Sequence, residues 1–115
     1  MARLFCVYIL ANHSRHLYTG MTSDLRRRTW QHKTKYYGGH TADFHIGRLV
    51  YYETAANARA ALTREKRIKR WPRRRKFRLI ERHNPDWRDL SEGWFDADDT
   101  NAAAQPRPPV QPSPG

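Results

Sequence analysis

The strongest constraint on how this chain folds is the apolar run at residues 5–10, FCVYIL, together with the polar turn behind it. β-branched and aromatic side chains dominate the run, which suits a strand. Residues 12–15, NHSR, form that turn, and residues 17–20, LYTG, return as a second strand. A four-residue connection supports antiparallel pairing, so the chain opens on a β-hairpin. The apolar stretch at 4–11 is far too short to span a membrane. No long apolar segment with a small-residue cleavage site marks a signal peptide at the N-terminus.

After the hairpin, Thr22, Ser23 and Asp24 are candidate caps for a helix running to about Lys33. Gly38 and Gly39 sit in a loop, and residues 48–53 read as a third strand. Thr54 is a candidate cap for a long helix from Ala55 to about Trp71, rich in helix-forming alanine. Pro72 ends that helix or opens the next turn. A shorter helix spans roughly residues 74–82. Asn84 followed by Pro85 reads as the start of a last helical turn, anchored by Trp87 and Leu90. The order β-β-α-β-α-α-α predicts a mixed α and β (α+β) fold, a small antiparallel or mixed sheet covered by helices.

Composition changes near Gly93. Five of the seven prolines lie in residues 105–115, and such a stretch can bury little apolar area. The expected organisation is one domain at residues 1–92 and a Pro-rich, disordered tail at 93–115, in which residues 96–115 carry the disorder most plainly. No internal repeat is visible.

The chain carries 22 Lys and Arg against 11 Asp and Glu, a net charge of +11 over 115 residues. Four Trp, six Tyr and four Phe are too many aromatics for a wholly disordered polycation. The expected molecule is a folded basic domain whose natural partner is a polyanion. No long helix with a clean apolar face argues for a membrane surface instead. The lone Cys6 excludes an internal disulfide framework and a multi-thiolate zinc site, and the expected setting by default is reducing and cytoplasmic.

Residues 64–78 are the densest basic region. Arg64, Lys66, Arg67, Lys69, Arg70, Arg73, Arg74, Arg75, Lys76 and Arg78 are opposed there by Glu65 alone. These ten cations are the expected nucleic-acid-binding residues. Each phosphate neutralised on duplex DNA contributes roughly 0.9 to the salt slope of binding. Such contacts position a strand without reading its sequence. Trp71 and Phe77 interleave with the charges as core packing or as platforms for exposed bases.

Glu65 lies three or four residues from Ala61, Leu62 and Ile68, on or beside the apolar face of the long helix. A carboxylate there is costly unless it is paired or binds a metal. The pairing alternative is a salt bridge to Arg64, Lys66 or Lys69. The metal alternative is a single oxygen ligand completed by water, which suits magnesium. Arg28 and His32 share a face of the first helix, with Asp24 one turn before Arg28. Asp24 could simply pair with Arg28. Alternatively, Arg28 points its fork of donors at a phosphate and His32 contacts a phosphate or hydroxyl. Tyr8 and Tyr18 flank the hairpin turn, where they are packed aromatics or phenols brought together across the strands. Gly20 leaves room for backbone or ligand.

Taken in order, Cys6-Val7-Tyr8, Tyr18-Thr19-Gly20, the stretch from Thr22 through Arg28 and His32, and Ala61-Leu62-Thr63-Arg64-Glu65-Lys66 resemble the GIY-YIG nuclease superfamily. Residues 49–53, 69–71 and 84–90 resemble its small stand-alone bacterial proteins. The resemblance covers residues 5–90. It implies a three-stranded antiparallel sheet flanked by helices and a divalent-metal-dependent endonuclease that hydrolyses DNA phosphodiester bonds with one ion, Mg²⁺ or Mn²⁺. It implies that Glu65 binds the metal, Arg28 stabilises phosphate charge and Tyr8 helps activate water as a general base. Tyr18 and His32 would orient the reacting groups, and Gly20 would shape the floor of the site. The competing expectation is a noncatalytic nucleic-acid-binding module of the same fold. Cys6 stands where the motif has its first glycine. A cysteine pointing into the sheet is a small core residue compatible with catalysis, whereas one pointing toward the metal site would disturb its access or geometry. No surface stripe compels a homodimer.

Overall fold

The computed structural model describes residues 4–34 and 47–95. The Gly38–Gly39 loop and the tail from Asp96 onward lie outside the described residues. Three strands, β1 (Phe5–Ala11), β2 (Leu17–Thr22) and β3 (Arg48–Ala55), alternate with three helices, α1 (Leu25–Thr34), α2 (Ala58–Arg70) and α3 (Arg73–His83), in the order β1-β2-α1-β3-α2-α3. The sheet order is β2-β1-β3, and β1 pairs antiparallel with both neighbours.

The central strand is apolar at every position because helices or loops cover both faces of the sheet. Val7, Ile9 and Ala11 point to one core, shared with Val50, Tyr51, Ala61, Ile68, Ile80 and Trp87. Cys6, Tyr8 and Leu10 point to a second core with Leu25 and Leu49, over which Tyr52, Leu90 and Trp94 pack. Burying each such large side chain stabilises the fold by roughly 1.5–3 kcal/mol. Cys6 is therefore a core residue, and burial pushes its thiol up to about 11, far from a nucleophile's range.

Local signals set the element ends. The hairpin closes over Asn12, whose Oδ1 accepts from the His16 amide at 2.9 Å, with Arg15 in the left-handed region at φ 63°. Asp24 caps α1, its Oδ1 accepting from Arg27 N at 3.1 Å, and Thr22 Oγ1 accepts from Asp24 N at 2.9 Å. Asp24 thus serves the helix end. The N-cap of α2 is Asn57, whose Oδ1 accepts from Ala60 N at 2.8 Å. It replaces the expected Thr54, because Thr54 and Ala55 still pair with Cys6 and Phe5 in the sheet. Leu62, expected on the buried face of α2, is 43% exposed, and Ala58 is exposed as well; Ala61 and Ile68 carry the packing.

The expected seventh element does not form. Asn84 ends α3 instead of starting a helix, its amide donating to Ile80 O at 2.7 Å. Its side chain bridges elsewhere: Nδ2 donates to Val50 O at 3.0 Å and to Arg88 O at 2.9 Å. Trp87 takes φ 54°, which no helix continues. The chain runs on through turns to Phe95, with Trp94 packed on the second core.

Candidate active site

The β1–β2 register builds the site's floor. Tyr8 sits opposite Gly20, and Tyr18 sits opposite Leu10, so Tyr18 is the diagonal neighbour of Tyr8 on the same face. A Cβ on Gly20 would lie 2.6 Å from Tyr8 Oη, 2.8 Å from Tyr8 Cζ and 3.1 Å from Tyr18 Cε2. Only a glycine leaves room for both rings at this point. Tyr8 is 1% exposed, whereas Tyr18 is 40% exposed.

The last turn of α1 brings His32 onto these rings. Its imidazole centroid is 5.2 Å from that of Tyr18 and 6.1 Å from that of Tyr8, and the two phenol rings are 6.2 Å apart. Arg28, one turn earlier and exposed, acts on the Tyr8 phenol from the open side. Burial raises the ionisation of Tyr8 well above the usual phenol value, Tyr18 raises it further, and Arg28 opposes both. No hydrogen bond of ordinary geometry reaches the buried Tyr8 Oη from the described residues. Leaving such a group unpaired costs about 1–3 kcal/mol, which a bound polar ligand would recover.

Glu65 is placed by a different element. It lies on α2 between Ala61 and Ile68, on the side of the helix that packs across β1 and β2. Its side chain is 12% exposed and its Oε2 meets Lys69 Nζ at 3.0 Å. The pairing and the core-facing position expected for Glu65 thus coexist. Among the described residues no group of three or more His, Cys, Asp or Glu could enclose a metal ion. One carboxylate completed by water fits a hard ion that keeps much of its hydration, such as magnesium, and not a closed zinc site.

The basic region divides. Arg64 is committed to the fold: its Nε donates to Glu53 Oε2 at 2.7 Å and its Nη2 to Glu53 Oε1 at 3.2 Å, while Tyr51 Oη donates to the same carboxylate. Lys69 is held by Glu65. Lys66, Arg67 and Arg70 line, with Thr63 and Trp71, a shallow open concavity of about 420 Å³. Trp71 does not offer a bare face to a base. The Arg75 guanidinium lies 4.0 Å and that of Arg64 5.4 Å from its ring centroid. Arg73 lies 4.9 Å from the Phe77 ring, and Phe77 packs edge-on to Trp87 at 4.8 Å. Arg74 and Arg78 are exposed and Lys76 is half-buried.

Sequence reasoning missed Glu53, Lys33 and Asp89. Asp89 is a hub: Oδ2 accepts from Lys33 Nζ at 2.5 Å, and Oδ1 accepts from Leu49 N at 3.2 Å, Ser91 N at 3.0 Å and Ser91 Oγ at 2.6 Å. Burial alone would raise its carboxyl, but the hydrogen bonds from Lys33 and Ser91 outweigh that and hold it below the usual value. Asp89-Leu90-Ser91 is a local turn signal that could have been read.

Tyr8 and Tyr18 over Gly20 thus lie together with His32 and Arg28, while Glu65 stands on α2 against Lys69. The GIY-YIG catalytic domain matches residues 4–78, and this chain belongs to that family, a nuclease superfamily. Among its relatives is a UPF0213 protein of Haloquadratum walsbyi, 38% identical over 79 residues, covering 65% of this chain and 84% of that one. A UPF0213 protein of Oceanobacillus iheyensis is likewise 38% identical over 79 residues, covering 65% and 87%. The solution NMR structure of a UPF0213 protein from Bacillus halodurans superposes with a TM-score of 0.50 at 26% identity, covering 78% of this chain and 96% of that one. The expected α+β fold with its three-stranded antiparallel sheet is thereby established. No helix among the described residues is long and apolar enough to cross a membrane.

Proposed function

We propose that this protein is an endonuclease that hydrolyses DNA phosphodiester bonds with one divalent ion, Mg²⁺ or Mn²⁺, in the cytoplasm. The observation that carries the reading is the buried, unpartnered Tyr8 Oη lying over Gly20 beside Arg28. A packed aromatic with no catalytic task would be expected to satisfy its hydroxyl.

Water attacks phosphorus as the P–O bond to the leaving nucleotide breaks, and the water's proton must go to a base. Glu65 is the residue that would hold a divalent ion, which would supply Lewis-acid polarisation of the phosphate oxygens. Arg28 offers fixed positive charge to the phosphate as negative charge builds. Tyr8 is a neutral phenol in the protein alone, because burial outweighs Arg28. Its own proton must first leave to solvent, which happens only when added positive charge beside it shifts that balance; the phenolate then takes the proton of the attacking water, and solvent protonates the leaving oxygen. Tyr18 and His32 hold the Tyr8 ring and orient the water. Lys66, Arg67, Arg70 and the exposed cations of α3 draw the strand in without reading its sequence.

The Lys69–Glu65 pair favours a second reading, a noncatalytic nucleic-acid-binding module in which lysine takes the ion's place. One experiment separates the two. Wild type and Glu65→Ala are incubated with labelled single-stranded, duplex, flap and junction DNA in magnesium, manganese or chelator. Metal-dependent cutting by the wild type alone establishes the nuclease. Tight binding without cutting on any DNA establishes the binding module.

A further inference from the structure

Helix α1 carries Arg28 and His32, yet packing holds it weakly. Of its residues, Leu25 and Thr29 are the fully buried ones. So narrow a fully buried stripe fixes the roll of a helix less firmly than a broad buried face does. A roll would swing Arg28 and His32 relative to Tyr8 and Tyr18, which are fixed in the sheet.

The C-terminal segment, residues 89–95, supplies the restraint. It has no helix or strand of its own and lies beyond the span matched to the GIY-YIG domain. It is anchored on the sheet by Leu90 N, which donates to Leu49 O at 2.7 Å, and by Trp94, whose ring meets Tyr52 at 6.3 Å. From that anchor it grips α1 twice. Asp89 takes Lys33 in the last turn, and the Trp94 carbonyl accepts from Arg26 Nη2 at 2.7 Å near the first turn. The Arg26 guanidinium also lies 5.8 Å from the Phe95 ring.

The helical period gives these grips a direction. Arg26 and Lys33 are nearly two whole turns apart, so they share one flank of α1. Arg28 and His32 share the other flank, across the buried stripe of Leu25 and Thr29. We propose that residues 89–95 form a positioning strap: by holding α1 at Arg26 and Lys33 it sets the roll of the helix and so fixes Arg28 and His32 against Tyr8 and Tyr18. Asp89, Lys33 and Arg26 are positioning residues, and none of them needs to touch substrate.

The catalytic consequence rests on the nuclease reading, whereas the geometry can be tested without it. Lys33→Met, Lys33→Arg and Asp89→Asn are compared with wild type well below their melting temperatures. NMR contacts between the His32 and Tyr18 rings report the roll directly, whether or not the protein cuts DNA. Lys33→Met and Asp89→Asn are expected to weaken those contacts while the strand amides stay unchanged, and Lys33→Arg is expected to restore them. With a cleavable DNA in hand, kcat should fall roughly tenfold to a hundredfold in the first two variants with KM within about twofold, as misplacement at unchanged affinity predicts. Wild-type ring contacts in both Lys33→Met and Asp89→Asn would overturn the strap, as would wild-type kcat in the folded Lys33→Met protein. A wild type that cuts no DNA removes the nuclease reading and leaves the ring-contact test standing.

Discussion

Tyr8 and Gly20 face each other across the β1–β2 pair, and the Tyr8 phenol occupies the space a side chain on Gly20 would need, its Oη 2.6 Å from where a Cβ would stand. One residue's absence of a side chain is thus the other's binding surface. Tyr8 is enclosed and cannot swing into solvent to escape. Gly20→Ala is expected to destabilise the protein by about 1–3 kcal/mol, the usual result of overpacking, and to suppress cleavage by displacing Oη. A denaturant melt checks the first effect. Wild-type stability in that variant would mean the ring relaxes freely.

Removal of Glu65 separates chemistry from binding. Glu65→Ala is expected to lower cutting on the order of a thousandfold, the scale of several kcal/mol lost from metal-assisted charge stabilisation. DNA affinity should be at least that of wild type, since the variant removes one negative charge and releases Lys69. Gel shifts beside cleavage assays measure both, and unchanged cutting would end the metal role for Glu65.

The ten cations of residues 64–78 are not equivalent. Arg64→Ala is expected to cost roughly 1–3 kcal/mol of stability by removing its bonds to Glu53, with little effect on DNA. Replacing Lys66, Arg67 and Arg70 together should leave stability intact and reduce the salt slope of DNA binding by roughly 0.9 for each phosphate no longer neutralised. A slope equal to wild type in the triple variant would place the DNA elsewhere.

Alkaline pH should weaken the fold. Burial is the main cause that raises Tyr8 and Tyr51 above the ordinary phenol value of 10.0, with Tyr18 adding to it at Tyr8 and Glu53 at Tyr51. A raised acid holds its proton more tightly in the folded state than in the unfolded one. Its contribution is full below a pH of about 10 and is lost as pH rises through and above that value. Urea melts from neutral pH to above about 10 should show this decline, and Tyr51→Phe should flatten part of it. Stability that stayed level across that range in the wild type would contradict the shifts.

Cys6 is expected to resist alkylation in the native protein at neutral pH, since it is buried and its thiol is pushed up to about 11. Mass spectrometry after iodoacetamide treatment, with and without denaturant, checks this. Rapid native modification would show that the second core opens.

Much of this fold was legible because its signals are local. The strand at residues 5–10 and its return announced themselves by side-chain type, and Asp24 lies at the head of α1 as a cap should. Tyr8, Tyr18, His32 and Arg28, expected from their order to share one site, lie together in the structure, whereas Glu65 comes from α2, where it meets Lys69. Errors arose where distant partners decide. Thr54 looks like a cap, but pairing with Cys6 keeps it in β3. Asn84 before Pro85 looks like a helix start, but its carboxamide is drawn to Val50 O, 34 residues away. The bonds of Asp89 to Lys33 and Leu49 span 56 and 40 residues, and no window on the sequence contains them.

The middle strand serves two masters. Val7, Ile9 and Ala11 belong to the layer that packs with α2 and α3, while Cys6, Tyr8 and Leu10 belong to the layer beneath α1. Each residue of β1 is flanked by residues of the opposite layer, which couples the two layers through one strand. Heat is therefore expected to unfold the body in a single cooperative step. The tyrosine floor and the rest of the body are then expected to be lost together, at one temperature.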